Sequence, residues 1–105
     1  MTSFRQTVEK AADKAGLSIK NSVAANAYLL LAWTMIEWGQ LKLPHGGLAV
    51  LNEVAKERTG HGIPTGSLRW YRTMMMREPE VVAKIVTLPA AFETLVRKSA
   101  LTSAS

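Results

Sequence analysis

The run Ala24 to Trp38, AANAYLLLAWTMIEW, leaves almost no polar surface once wound into a helix. At 3.6 residues per turn, Tyr28, Leu29, Leu30, Leu31, Trp33, Met35, Ile36 and Trp38 cover most of its circumference. Such a helix must be surrounded. A membrane would do it, but a span needs about 20 apolar residues, and Asn26, Thr34 and Glu37 interrupt or bound this run. Export is disfavoured as well, because Glu37-Trp38 stands where a signal peptide carries a small-residue cleavage site. The segment Asn21 to Gly39 therefore reads as the central rod of a helical core. A chain of 105 residues has few other helices with which to wrap it. Burying all its sides predicts a homodimer, two copies packed across a two-fold axis, with Leu30, Trp33 and Trp38 in the interface.

The remaining segments also carry the helical period. Thr2 to Ala15 places Phe4, Val8, Ala11, Ala12 and Ala15 on one stripe, with Gly16 to stop it. That stripe is weakly apolar and suits an arm that packs late or on a partner. Leu41 to Gly47, LKLPHGG, is a loop. A helix from Leu48 to Thr59 turns Leu48, Leu51, Val54 and Ala55 inward. Gly60 ends it, Ile63 plugs the turn, and Thr65 or Ser67 caps a helix from Gly66 to Glu78. Pro79 breaks that helix, and Glu80 to Val86 adds a short piece. After Pro89 a last helix faces Phe92, Leu95, Val96 and Leu101 inward and leaves Thr102 to Ser105 as a fraying tail. No strand alternation, repeat or low-complexity tract interrupts the pattern. The expected fold is a single all-α domain over residues 1–105, a compact bundle of five or six helices.

Charge narrows the partner. The net charge is +5, and the window Lys56 to Arg77 carries five basic residues (Lys56, Arg58, Arg69, Arg72, Arg77) against one acid, Glu57. A local excess of +4 in that window favours a polyanion, nucleic acid before an acidic protein or a membrane surface. With no cysteine there is no disulfide framework and no zinc-thiolate site, which fits a reducing, cytoplasmic setting.

The basic helix is itself two-sided. On a wheel, Leu68, Tyr71, Met74 and Met75 gather on one face, while Thr65, Arg69, Arg72, Thr73 and Met76 lie opposite with Arg77 at their edge. A helix pinned by one side to a preceding helix, and offering arginine and threonine from the other, fits a DNA major groove. Arg69 and Arg72 would reach guanine edges. Thr65, Ser67 and Thr73 would bond phosphate oxygens or touch a thymine methyl, and Arg77 extends the DNA-binding set. The run Arg58 to Arg72, RTGHGIPTGSLRWYR, resembles the turn and recognition helix of the helix-turn-helix class of bacterial regulators. The resemblance spans about residues 48–77. Its turn is longer than the commonest pattern and carries Pro64 with extra glycines, and no β-hairpin wing follows Arg77. It implies a transcriptional or plasmid/phage maintenance regulator that binds double-stranded DNA.

A different reading uses the same helix. Met74, Met75 and Met76 cannot all face inward. An exposed methionine beside Trp70 would make an adaptable docking patch, as in an adaptor or inhibitor acting on a protein partner. Enzymatic chemistry lacks its parts: His45 and His61 each sit beside glycine in loops, and the acids are scattered. No metal-ligand spacing or phosphate loop is present, so neither a cofactor nor a metal is expected. The absence of an aromatic sheet platform disfavours the common single-strand RNA modules.

Overall fold

The first two helices are delimited by residues suited to the task. In the computed structural model, which describes residues 3–104 and side chains as far as Ala100, α1 (Phe4–Ala15) opens with a reciprocal cap. Ser3 Oγ accepts from the Gln6 N–H at 3.2 Å, and Gln6 Oε1 accepts from the Ser3 N–H at 3.0 Å. Gly16, at φ +65°, closes it in the left-handed region that a Cβ disfavours. Then follow α2 (Val23–Trp38), capped by Ser22, α3 (Gly47–Thr59), α4 (Thr65–Arg77), the single turn α5 (Pro79–Val82) and α6 (Ala90–Ala104). No strand occurs among the described residues. The all-α expectation holds, with six helices among the described residues.

α2 is the rod. Tyr28, Leu30, Leu31, Ala32 and Met35 have essentially no accessible surface. They are covered by α1, α4 and α6 of the same chain. The cover that the sequence reading sought from a second copy is thus supplied internally. Leu30, expected at a dimer interface, lies in the protomer core and can touch another copy only if the bundle opens. Trp33 and Trp38 are half-buried. Trp33 carries the Lys14 ammonium 5.5 Å from its ring centroid, and Trp38 meets the edge of Phe4 at 5.1 Å between centroids.

α1 is no loose arm. Its packing on α2 is the most extensive between any two helices. The reason is steric: Ala11, Ala12 and Ala15 on α1 and Ala27 on α2, all buried, are small enough for two helix backbones to approach closely. Val8 fills the remaining space, and Lys14 pairs with Glu37 across the contact. The start expected at Thr2 lies outside the described residues. So do the inward face of Leu101 and the side chains of the expected frayed tail, though α6 is helical through Ala104.

Around this pair the later helices add one or two large plugs each: Leu51 and Val54 from α3, Leu68 and Met75 from α4, Val82 from α5 and Phe92 from α6. The radius of gyration, 12.9 Å, matches the roughly 13 Å expected of one globule of this length.

Candidate nucleic-acid interface

The turn that delivers α4 is fixed at three points. Gly60 takes φ +83°, so α3 can stop within one residue. The Thr59 hydroxyl donates to the Ala55 carbonyl at 2.8 Å and accepts from the His61 N–H at 3.2 Å. Ile63 is buried and nails the turn to the core. The cap differs from expectation: neither Thr65 nor Ser67 provides it. Pro64 occupies the N-cap with no side-chain hydrogen bond, and its carbonyl accepts the Leu68 N–H at 2.9 Å. Proline pre-sets the entry into the helix, so both hydroxyls are released from capping.

On α4 the inward side is Leu68 and Met75, with Tyr71 and Met74 half-buried beside them. Tyr71 lies edge-to-face with Tyr28 of α2 at 5.1 Å. The other side is open: Ser67, Arg69, Trp70, Thr73, Met76 and Arg77 are exposed, and Thr65 and Arg72 are half-buried. The wheel placed these faces correctly.

Three shallow grooves meet on this side, and Arg72 lines all of them. The first runs along α4 between Arg69, Arg72, Thr73, Met76 and Arg77. The second, about 370 Å³, lies between Thr65, Arg69 and Arg72 and the start of α3 with His45. The third, about 580 Å³, adds Lys42 from the α2–α3 loop and Lys98 from α6. Five of the six expected contact residues therefore converge: Thr65, Arg69, Arg72, Thr73 and Arg77. Ser67 does not join them, since two residues of helix place it about 160° round the axis from Arg69. Thr73 lies among the arginines, but its hydroxyl already donates to the Arg69 carbonyl at 3.1 Å, leaving the methyl as its outward feature. Lys42, His45 and Lys98 were missed. They lie far from α4 in sequence, and only the tertiary fold brings them to this face.

The electrostatics are segregated. Arg5 on α1 pairs with Glu53 at 3.1 Å and Glu57 at 2.5 Å on α3. The Glu57 hydrogen bond, then its charge, raises the Arg5 pKa above its ordinary value. Arg58 pairs with Asp13, and Lys14 with Glu37. Arg58 is therefore turned to α1 and does not join the arginines of α4. Among the described residues, Arg69, Arg72 and Arg77 form no ion pair. Just past them, Glu78 shares a hydrogen bond with Glu80, and this, followed by the like charge, pushes the Glu78 carboxyl above the usual carboxylate range.

The aromatic and sulfur side chains do not form a rival face. Trp70 is 57% exposed and lies beside Arg77 but about 160° round the helix from Arg72. Met76, 38% exposed, lines the groove with the arginines, while Met75 is buried and Met74 half-buried. An arginine ridge and a Trp/Met patch were expected as alternatives, but Met76 lies among the arginines and Trp70 at their edge. No group of His, Asp and Glu suited to a metal gathers among the described residues, and His45 and His61 line different grooves. No helix among the described residues is long and apolar enough to cross a membrane. The arrangement offers fixed positive charge and hydrogen-bond donors to an extended anion. No family model matches the chain, and no curated protein or solved structure matches it.

Proposed function

We propose that this chain is a small DNA-binding protein, a transcriptional or plasmid/phage maintenance regulator, that lays α4 in the major groove of duplex DNA. The observation that carries the reading is the unpaired set Arg69, Arg72 and Arg77 on the open side of α4, while Asp13, Glu37, Glu53 and Glu57 are paired elsewhere. A helix of 13 residues is about 20 Å long and about 10–12 Å across, a fit to a groove about 12 Å wide. α3 and the Gly60–Pro64 turn serve as the supporting half of a helix-turn-helix-like unit. Arginine presents its donors in a planar fork that matches guanine O6/N7 or a phosphate. A homodimer in the cytoplasm would present two α4 faces to two half-sites.

Titration against random-sequence duplex at about 50 and 200 mM salt, with solution mass measured alongside, tests this. Three phosphate contacts, one for each of these arginines, predict an affinity loss of about fortyfold over that range. Absence of binding at the lower salt would overturn it. The second reading, a protein-interaction module acting as adaptor or inhibitor, draws on the exposure of Trp70 and Met76. It predicts capture of a protein partner with little salt dependence and no retention on heparin.

A further inference from the structure

Trp70 is the largest exposed side chain on the face assigned to DNA, yet an intact duplex has little use for it. In a stacked duplex the π-faces of the bases are covered by their neighbours, and the major groove presents only their edges. An indole at the edge of that surface, beside Arg77, finds a full partner only where a base has left the stack.

Its setting is built for such a base. Trp70 meets Tyr71 edge-to-face at 5.4 Å, and Tyr71 meets Tyr28 likewise at 5.1 Å. Tyr28 is 1% exposed, so the ring series runs from the core of the bundle to the surface and fixes the indole from below. No ring stacks in parallel on the indole among the described residues. One turn toward the N-terminus stands Gly66, where an added Cβ would meet nothing within 4 Å, so the flank of the indole is open. Arg69 precedes it in sequence. Arg77, seven residues on, lies within about 20° of it round the helix and about 10 Å along the axis. The charge on either side of the ring is positive, which disfavours a basic or neutral apolar peptide and, on the DNA-binding reading, favours a base carried between phosphates.

We infer that Trp70 stacks on an unstacked nucleobase while Arg69 and Arg77 hold the flanking phosphates, so the preferred ligand is DNA carrying an extrahelical base, as in a bulge. This rests on the DNA-binding reading and adds a specificity determinant to it. Base–aromatic stacking is sequence-tolerant, so the preference is for the distortion and not for one base.

The test compares a duplex of about 20 base pairs with the same duplex carrying a one-base bulge, at about 50 mM salt, for wild type, Trp70→Phe and Trp70→Ala. Wild type should bind the bulged duplex about tenfold more tightly. Trp70→Ala should lose that preference while holding its affinity for the perfect duplex within about twofold, and Trp70→Phe should keep part of it. Thermal melts check that the substitutions, at an exposed site, leave the fold intact. Equal binding of both duplexes by wild type, or an unchanged preference in Trp70→Ala, overturns this inference and leaves the DNA-binding reading standing. Failure of wild type to bind either duplex overturns both.

Discussion

A methyl group placed on Gly62 would lie 2.3 Å from Oδ1 of Asn52. The glycine is thus held by space and not by backbone conformation, since its φ is not in the left-handed region, unlike that of Gly60. The contact matters because Gly62 sits in the turn that aims α4, and Asn52 belongs to α3. Gly62→Ala should cost about 1–2 kcal/mol by forcing the amide away. Asn52→Ala, nearly neutral alone, should recover most of that loss in the double variant. Thermal melts of the four proteins check the coupling. Additive losses would mean that Asn52 is not what fills the space.

The segregation of charge predicts which arginines DNA binding depends on. Arg69→Ala and Arg72→Ala should each weaken binding with helical content and Tm unchanged. Loss of a base contact costs about 1–3 kcal/mol and relaxes preference at one position, whereas loss of a phosphate contact weakens all sequences and lowers the salt slope by about one. Arg58→Ala is the informative control. Arg58 is turned to Asp13 and the Glu9 carbonyl, so its removal should leave DNA affinity unchanged. Equal affinity of an Arg69→Ala/Arg72→Ala double variant and wild type would remove this face from consideration.

What could be read from the residues alone follows a physical divide. Periodicity within one helix is local, so the buried side of α4, the breaks at Gly16, Gly39 and Gly60, and the inward Leu51, Val54 and Phe92 were legible. Relationships between helices were not. Whether α2 is wrapped by its own chain or by a copy depends on how closely α1 can approach, and that is decided by matching alanines on two separate segments. The recruitment of Lys42, His45 and Lys98 beside Arg72, and the loss of Arg58 to Asp13, are likewise tertiary. The capping error was local but close: Pro64, one residue earlier, already supplies a preformed φ, so neither Thr65 nor Ser67 needs to cap.

Thr34 marks a place where the core can be improved. It has no accessible surface, and its hydroxyl has no hydrogen-bond partner among the described residues. Thr7, Thr59, Thr73 and Thr94 all return their hydroxyls to the carbonyl four residues earlier, whereas Thr34 does not. A buried hydroxyl without a partner gives up its bond to water for nothing. Thr34→Val keeps the shape and removes that cost, so it should stabilise the protein by about 1 kcal/mol, raising Tm by roughly 5 °C. A lower Tm would show that the hydroxyl is satisfied in solution.

Glu78 and Glu80 close the basic face with a like-charge pair whose effect depends on pH. The shared hydrogen bond, and then the Glu80 charge, lift the Glu78 carboxyl above its ordinary 4.5. The folded state therefore binds this proton more tightly than the unfolded chain does. The stability it brings is fully present below the ordinary carboxyl value and is lost as pH rises through the raised one. Above that point both groups are ionised and repel at the junction of α4 and α5. Glu80→Gln should accordingly raise Tm at pH 7, with the gain fading at about pH 3.5, below the usual carboxylate range. The same substitution removes a negative charge near Arg77, so it should also tighten DNA binding at low salt and lose that effect as salt screens the surface. A Tm difference that is the same at both pH values would show that the two carboxylates do not act on each other.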